Sequence, residues 1–124
     1  MSTEPRDLRA AVQGYYDALD ADDIEAVLSS FSGDVLYRRP GYADMVGLHQ
    51  LRDYYSSAER KIAPGRHVLR RILVDHLSAA AHGVYEGQLK DGGAPATVGF
   101  AAFFTFDGSG RISEHQTYFF VPAV

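Results

Sequence analysis

An α+β layer fold, in which a curved antiparallel sheet closes over N-terminal helices, is what three features of the sequence predict. The hydrophobic period changes once along the chain, from helical to alternating. Turn chemistry, in DGGAP and DGSG, separates long extended segments. The resulting order, ααβαββββ, places helices before a run of antiparallel strands.

Leu8, Val12, Tyr15, Tyr16 and Leu19 recur at helical spacing, and Asp22-Asp23 precedes a second short helical run in IEAVLSSF, where the acidic pair is placed to cap it. DVLYR (34–38) reads as a short strand stopped by Pro40-Gly41. Helical spacing returns over 47–61 through Leu48, Leu51, Tyr54 and Tyr55, and Pro64-Gly65 ends it. Four extended segments follow: RHVLRRILVDH, AAAHGVYEGQL, ATVGFAAFFTF and ISEHQTYFFV. Gly83, Gly87 and Gly99 inside them suit a strongly bent sheet.

Composition limits the function. A chain of 124 residues, 46% apolar, can bury a real core but is short for two domains, so residues 1–124 are read as one. The formal charge of −4, with acids and bases interleaved, gives no basic stripe for nucleic acid, although RHVLRR (66–71) is locally basic. Without cysteine there is no disulfide and no thiolate nucleophile, which suits a reducing compartment. MSTEPRDLR lacks an apolar signal region, and no apolar run is long enough to span a bilayer. These readings give a cytoplasmic protein with no membrane partner. His49, His76 and His82 are scattered, with no H-E-x-x-H, so no metal is expected. No glycine-rich phosphate loop and no G-x-S-x-G elbow is present, and the chemistry left is acid–base or electrostatic without a cofactor.

AAVQGYYDALDADDIEAVLSSFSGDVLYRRP (10–40) resembles the opening of ketosteroid isomerase and the SnoaL-like polyketide cyclases, in the nuclear transport factor 2 superfamily. G-x-x-x-L-x-x-Y-Y (47–55) and F-D-G-S-G-R-I-S-E-H (106–115) fit the same pattern. The resemblance implies a cone of bent sheet and helices around one deep pocket, commonly as a dimer. It does not by itself imply one reaction, because this scaffold hosts isomerases, cyclases, dehydratases, epoxide hydrolases and binding modules.

Carried over residue by residue, the resemblance puts Tyr15 where ketosteroid isomerase keeps its oxyanion-holding tyrosine and Tyr55 where a second tyrosine bonds to the first. Arg39 stands at the position of that family's general-base aspartate and Ala102 at that of its protonated aspartate, so steroid-type proton shuttling lacks both acids here. Arginine keeps its proton at ordinary pH and serves as a clamp rather than a base. RHV (66–68) and LDADD (19–23) look similar to scytalone dehydratase, in which a strand-opening histidine faces an aspartate. His67 and Asp20 are the matching pair, with Asp20 expected to set the tautomer of His67 and raise its basicity. The Asp-Arg-Asp set of limonene-type epoxide hydrolases has no counterpart in this pattern.

Alternation supplies the other pocket candidates. In the family register His115, Thr117 and Phe119 point into the cavity, while Glu114, Gln116 and Tyr118 face the other side, where subunits often meet. Ala81, Gly83, Tyr85 and Gly87 also point inward, leaving room for a sizeable flat ligand. Arg38 and Arg39 face opposite ways, with Arg39 inside. The candidate catalytic residues are therefore His67, Asp20 and Tyr15. The candidate ligand-binding residues are Arg39, Tyr37, Tyr55, Tyr85, Phe100, His115 and Phe119.

Two functions fit. One is a cofactor-independent isomerase, cyclase or dehydratase acting on a polyketide-like or other small hydrophobic carbonyl compound, in a homodimer formed through the outer sheet face. The other is a noncatalytic carrier that holds a hydrophobic anion on Arg39.

Overall fold

The computed structural model describes residues 7–56, 65–88 and 95–120. Helix α1 (Leu8–Asp20) starts where the Asp7 side chain accepts a hydrogen bond from the Ala10 N–H at 3.0 Å. It buries Leu8, Val12, Tyr15 and Tyr16. Asp22 takes a positive φ of 55°, and Asp23 then caps α2 (Ile24–Ser29) by accepting from the Ala26 N–H at 3.1 Å. Of the two aspartates, then, one makes the turn and the other makes the cap.

Strand β1 (Phe31–Arg38) follows, and Gly41, at φ 86°, helps turn the chain back into β2 (Met45–Val46), a two-residue strand with no signature in the sequence. Helix α3 (Gly47–Tyr55) opens with the Gln50 side chain accepting from the Val46 N–H at 2.7 Å. Its described part runs to Tyr55, where the Ser56 N–H bonds the Arg52 carbonyl. Residues 57–61 of the expected helix, its expected stop at Pro64 and most of the DGGAP turn lie outside the described residues. Arg52 pairs with Glu25 and ties α3 to α2. No described helix is long and apolar enough to cross a membrane.

Strands β3 (Arg66–Asp75), β4 (Ser78–Gln88), β5 (Pro95–Phe106) and β6 (Ile112–Phe120) lie within a residue or two of the expected segments. The sheet order is β2-β1-β6-β5-β4-β3. One join departs from the antiparallel expectation, because β1 runs parallel to β6. Parallel neighbours need a long crossover, which the whole chain between them provides, and side-chain alternation carries no information on strand direction. Helix α1 packs on β3 and α3 on β1, so both helices lie against the sheet and the core sits between the layers.

The bend has a local cause. The β3–β4 register shifts between Leu69 and Arg71, opposite Gly83 and His82. A methyl group at Gly83 would stand 2.0 Å from the Val68 carbonyl oxygen, so the two backbones approach in a way only glycine allows. Gly83→Ala is expected to cost about 1–3 kcal/mol through overpacking. Urea denaturation with an unchanged midpoint would refute this.

Alternation sorts the faces as the sequence predicts. Ala81, Tyr85, Phe104, His115 and Thr117 are buried, whereas Phe103, Tyr118 and Phe120 are exposed on the opposite face.

Candidate functional site

The inner face of the sheet and the buried sides of α1 and α3 enclose a cavity open at one end. It holds about 680 Å³ of empty space with its mouth included, of which about 70 Å³ is open to the centre of a water-sized molecule. That room suits a small ligand. The sizeable flat space expected along β4 is partly filled, because Tyr85 lies over its own strand. A methyl at Gly87 would meet the Tyr85 hydroxyl oxygen at 2.1 Å, so this glycine makes room for a tyrosine rather than for a ligand.

Asp20 closes α1 and reaches the start of β3. Its Oδ2 accepts from the His67 backbone N–H at 2.9 Å and its Oδ1 from the His67 ring at 2.6 Å. A carboxylate only accepts, so the ring proton facing it sits on Nδ1 and the Nε2 lone pair is left as the basic position. The His67 ring packs between Tyr16 (centroids 5.0 Å apart), Tyr85 (5.0 Å) and Phe100 (5.4 Å). Burial among these rings pulls its pKa below 6.5. Asp20 pushes it up and the Arg39 charge adds to the lowering, so the net effect is opposite to the raised basicity expected from the carboxylate alone. Desolvation outweighs the ion pair, and His67 is neutral at pH 7.

Tyr15 projects from α1 and Tyr55 from α3, and their hydroxyls meet at 2.7 Å in the buried wall. Burial raises the pKa of both well above the usual 10, so both stay protonated. Tyr55 is also aligned with Tyr37, and Tyr37 stacks on the His115 ring at 4.7 Å. His115 is 1% exposed and lies on Phe104 at 4.4 Å. It has long contacts only, 3.4 Å to the Phe103 carbonyl and 3.4 Å to Thr117 Oγ1. Burial brings its pKa down to about 3, the Phe103 carbonyl opposing and the Arg39 charge assisting. It is a neutral ring, held in an aromatic stack.

Arg38 and Arg39 separate as alternation requires. Arg38 is exposed and pairs with Asp44 at 3.3 Å. Arg39 turns into the cavity, donates to the Tyr37 hydroxyl at 3.2 Å, and carries its guanidinium 4.9 Å from the Phe119 ring centre and 5.5 Å from that of Tyr54.

Every sequence-derived candidate except Asp20 lines this one cavity, and Asp20 stands directly behind His67. Sequence reasoning missed Tyr16 and Tyr54 as wall residues. The signal was the doublets Tyr15-Tyr16 and Tyr54-Tyr55: neighbours on a helix point about 100° apart, and a helix wrapped by a curved sheet buries both. Val98 and Leu19 complete the apolar wall, and no aspartate or glutamate lines it among the described residues. Nor, among the described residues, do three His, Asp or Glu side chains gather there as metal ligands would.

Comparison with known proteins agrees with the architecture. An NTF2-like protein of unknown function from Burkholderia pseudomallei is similar with a TM-score of 0.84 at 18% identity, over 94% of this chain and 92% of that one. An LEH-like epoxide hydrolase from M. tuberculosis gives 0.76 at 19% identity, over 91% and 82%. TerC, co-crystallised with polyporic acid, gives 0.79 at 19% identity, over 91% of each chain. At these identities the likeness concerns the fold. No curated protein matches the chain in sequence. The SnoaL-like domain family matches residues 12–115, nearly the whole span from α1 to the buried histidine of β6, and the chain belongs to that family.

Proposed function

We propose that this protein is a cofactor-independent acid–base enzyme, of isomerase, cyclase or dehydratase type, acting on a polyketide-like or other small hydrophobic carbonyl compound. The observation that carries the reading is the Asp20–His67 bond of 2.6 Å at the wall of a cavity that also holds the Tyr15–Tyr55 pair. His67 Nε2 removes a proton from the carbon next to the carbonyl. The electron pair moves onto the carbonyl oxygen, where the Tyr15 O–H donates to the developing enolate and Tyr55 donates to Tyr15. Return of the proton at another carbon isomerises the substrate, loss of a β-hydroxyl dehydrates it, and attack on a second carbonyl closes a ring. Arg39 and the aromatic walls orient the ligand. A small-molecule ligand is in keeping with the polyporic acid held by a protein of similar fold.

The exposed apolar residues of the outer sheet face, Leu73, Phe103, Tyr118 and Phe120, support a homodimer formed through that face. Sedimentation as a monomer would remove this part of the reading.

Incubation in D2O with a panel of aromatic and polyketide-like ketones tests the chemistry. Deuterium should enter the α-position of an accepted ketone, read by mass spectrometry, and His67→Ala should abolish it. Tyr15→Phe should slow it roughly 10²–10³-fold, the usual cost of losing one oxyanion donor. Undiminished exchange in both variants sinks the mechanism. Ligand binding with no exchange on any compound favours the carrier function.

A further inference from the structure

The cavity contains a cation that the described protein does not neutralise. Arg39 lies at its wall, and its Nε is buried with no hydrogen-bond partner among the described residues. Asp20, which stands behind the cavity wall, gives both its oxygens to His67, and Asp44 pairs with the outward Arg38. No carboxylate pairs with Arg39 among the described residues. What faces it instead is the Tyr37 hydroxyl and the rings of Tyr42, Tyr54 and Phe119, at 5.7, 5.5 and 4.9 Å. Ring faces attract a cation, but they accept no strong hydrogen bond and bring no net charge. Tyr15, Tyr16 and Tyr55 stay protonated, and His67 and His115 are uncharged at neutral pH, so none of these five supplies the missing negative charge.

A largely buried guanidinium is costly to leave uncompensated, and its planar fork matches a carboxylate or an enolate. We infer that the ligand of this cavity is an organic monoanion with an apolar body, whose carboxylate or enolate takes Arg39 as its counter-ion while its body lies against the aromatic walls. This rests on the reading of the cavity as a substrate site and narrows its substrate class. An anion seated there also removes part of the positive field that Arg39 imposes on His67, so a charged substrate makes its own base stronger.

Binding of three shape-matched probes tests this without any chemistry. Benzoate, benzamide and benzylamine share a ring, and benzoate has no α-hydrogen for His67 to remove. Calorimetric or NMR titration at pH 7 is expected to rank benzoate at least tenfold tighter than benzamide, with benzylamine weakest. In Arg39→Gln the advantage of benzoate over benzamide should vanish, and Arg39→Lys should keep part of it. The inference is overturned if benzamide equals benzoate on the native protein, if benzoate does not bind, or if Arg39→Gln keeps the preference. Should Arg39→Gln fail to fold, the native ranking and Arg39→Lys decide. The two proposals fail separately. A benzoate preference without deuterium exchange on any ketone removes only the enzyme mechanism, whereas exchange on neutral ketones with no anion preference removes only the counter-ion.

Discussion

Asp20→Asn is expected to lower kcat/KM for an accepted carbonyl substrate by roughly 10²–10⁴-fold, the range that general-base catalysis supplies. The loss follows from the direction of one hydrogen bond. The Asp20 carboxylate can only accept, so it holds the His67 proton on Nδ1 and keeps Nε2 bare. An asparagine amide can donate to Nδ1 instead, and the proton then occupies Nε2, where the base should be. Imidazole ¹⁵N NMR reads the exchange of tautomers independently of any substrate. Full activity in the variant, or an unchanged tautomer, removes Asp20 as the positioning residue of His67. In the native protein the pH profile of the proposed reaction should fall on the acid side with a midpoint below 6.5, because burial holds the His67 pKa under that value and the base acts only when deprotonated. Its alkaline limb should lie above 10, where Tyr15 begins to ionise.

Acid should destabilise the protein through His115 well before the carboxylates titrate. Its folded-state pKa is about 3 against an ordinary 6.5. Between those values the unfolded chain binds a proton that the folded chain refuses, so stability is complete above pH 6.5 and is lost as pH falls toward 3. At about 1.4 kcal/mol per unit the full effect is roughly 5 kcal/mol, a large share of a small domain's stability. The structural cause is the aromatic stack: a charged imidazolium between Tyr37 and Phe104 would lose its hydration and gain only contacts of 3.4 Å. His115→Gln keeps a polar side chain and cannot titrate. Urea denaturation at pH 7 and pH 4 should show a smaller loss of stability in the variant than in the native protein. Equal losses would mean that His115 does not control the acid response.

Much of the site was legible because periodicity fixes side-chain direction. Alternation on β6 put His115, Thr117 and Phe119 on one face and Tyr118 on the other, and the same rule separated Arg39 from Arg38. Helical spacing identified the buried side of α1, and turn residues located the strand boundaries. Resemblance to a known family then supplied the pairings of Tyr15 with Tyr55 and of Asp20 with His67, which the residues alone did not dictate.

The sequence by itself determined the order of elements apart from the two-residue β2, the polarity of the long strands' faces and the absence of thiol chemistry, since these depend on neighbours along the chain or on composition. Tertiary structure alone decided the parallel join of β1 to β6, the placing of Tyr85 over Gly87, the stacking of His115, and the sign of the His67 shift. The physical reason is range: side-chain direction is local and repeats every few residues, whereas packing and desolvation depend on groups remote in sequence. Asp20 and His67 are 47 residues apart and Tyr15 and Tyr55 are 40 apart, and only the folded chain brings each pair within hydrogen-bond reach.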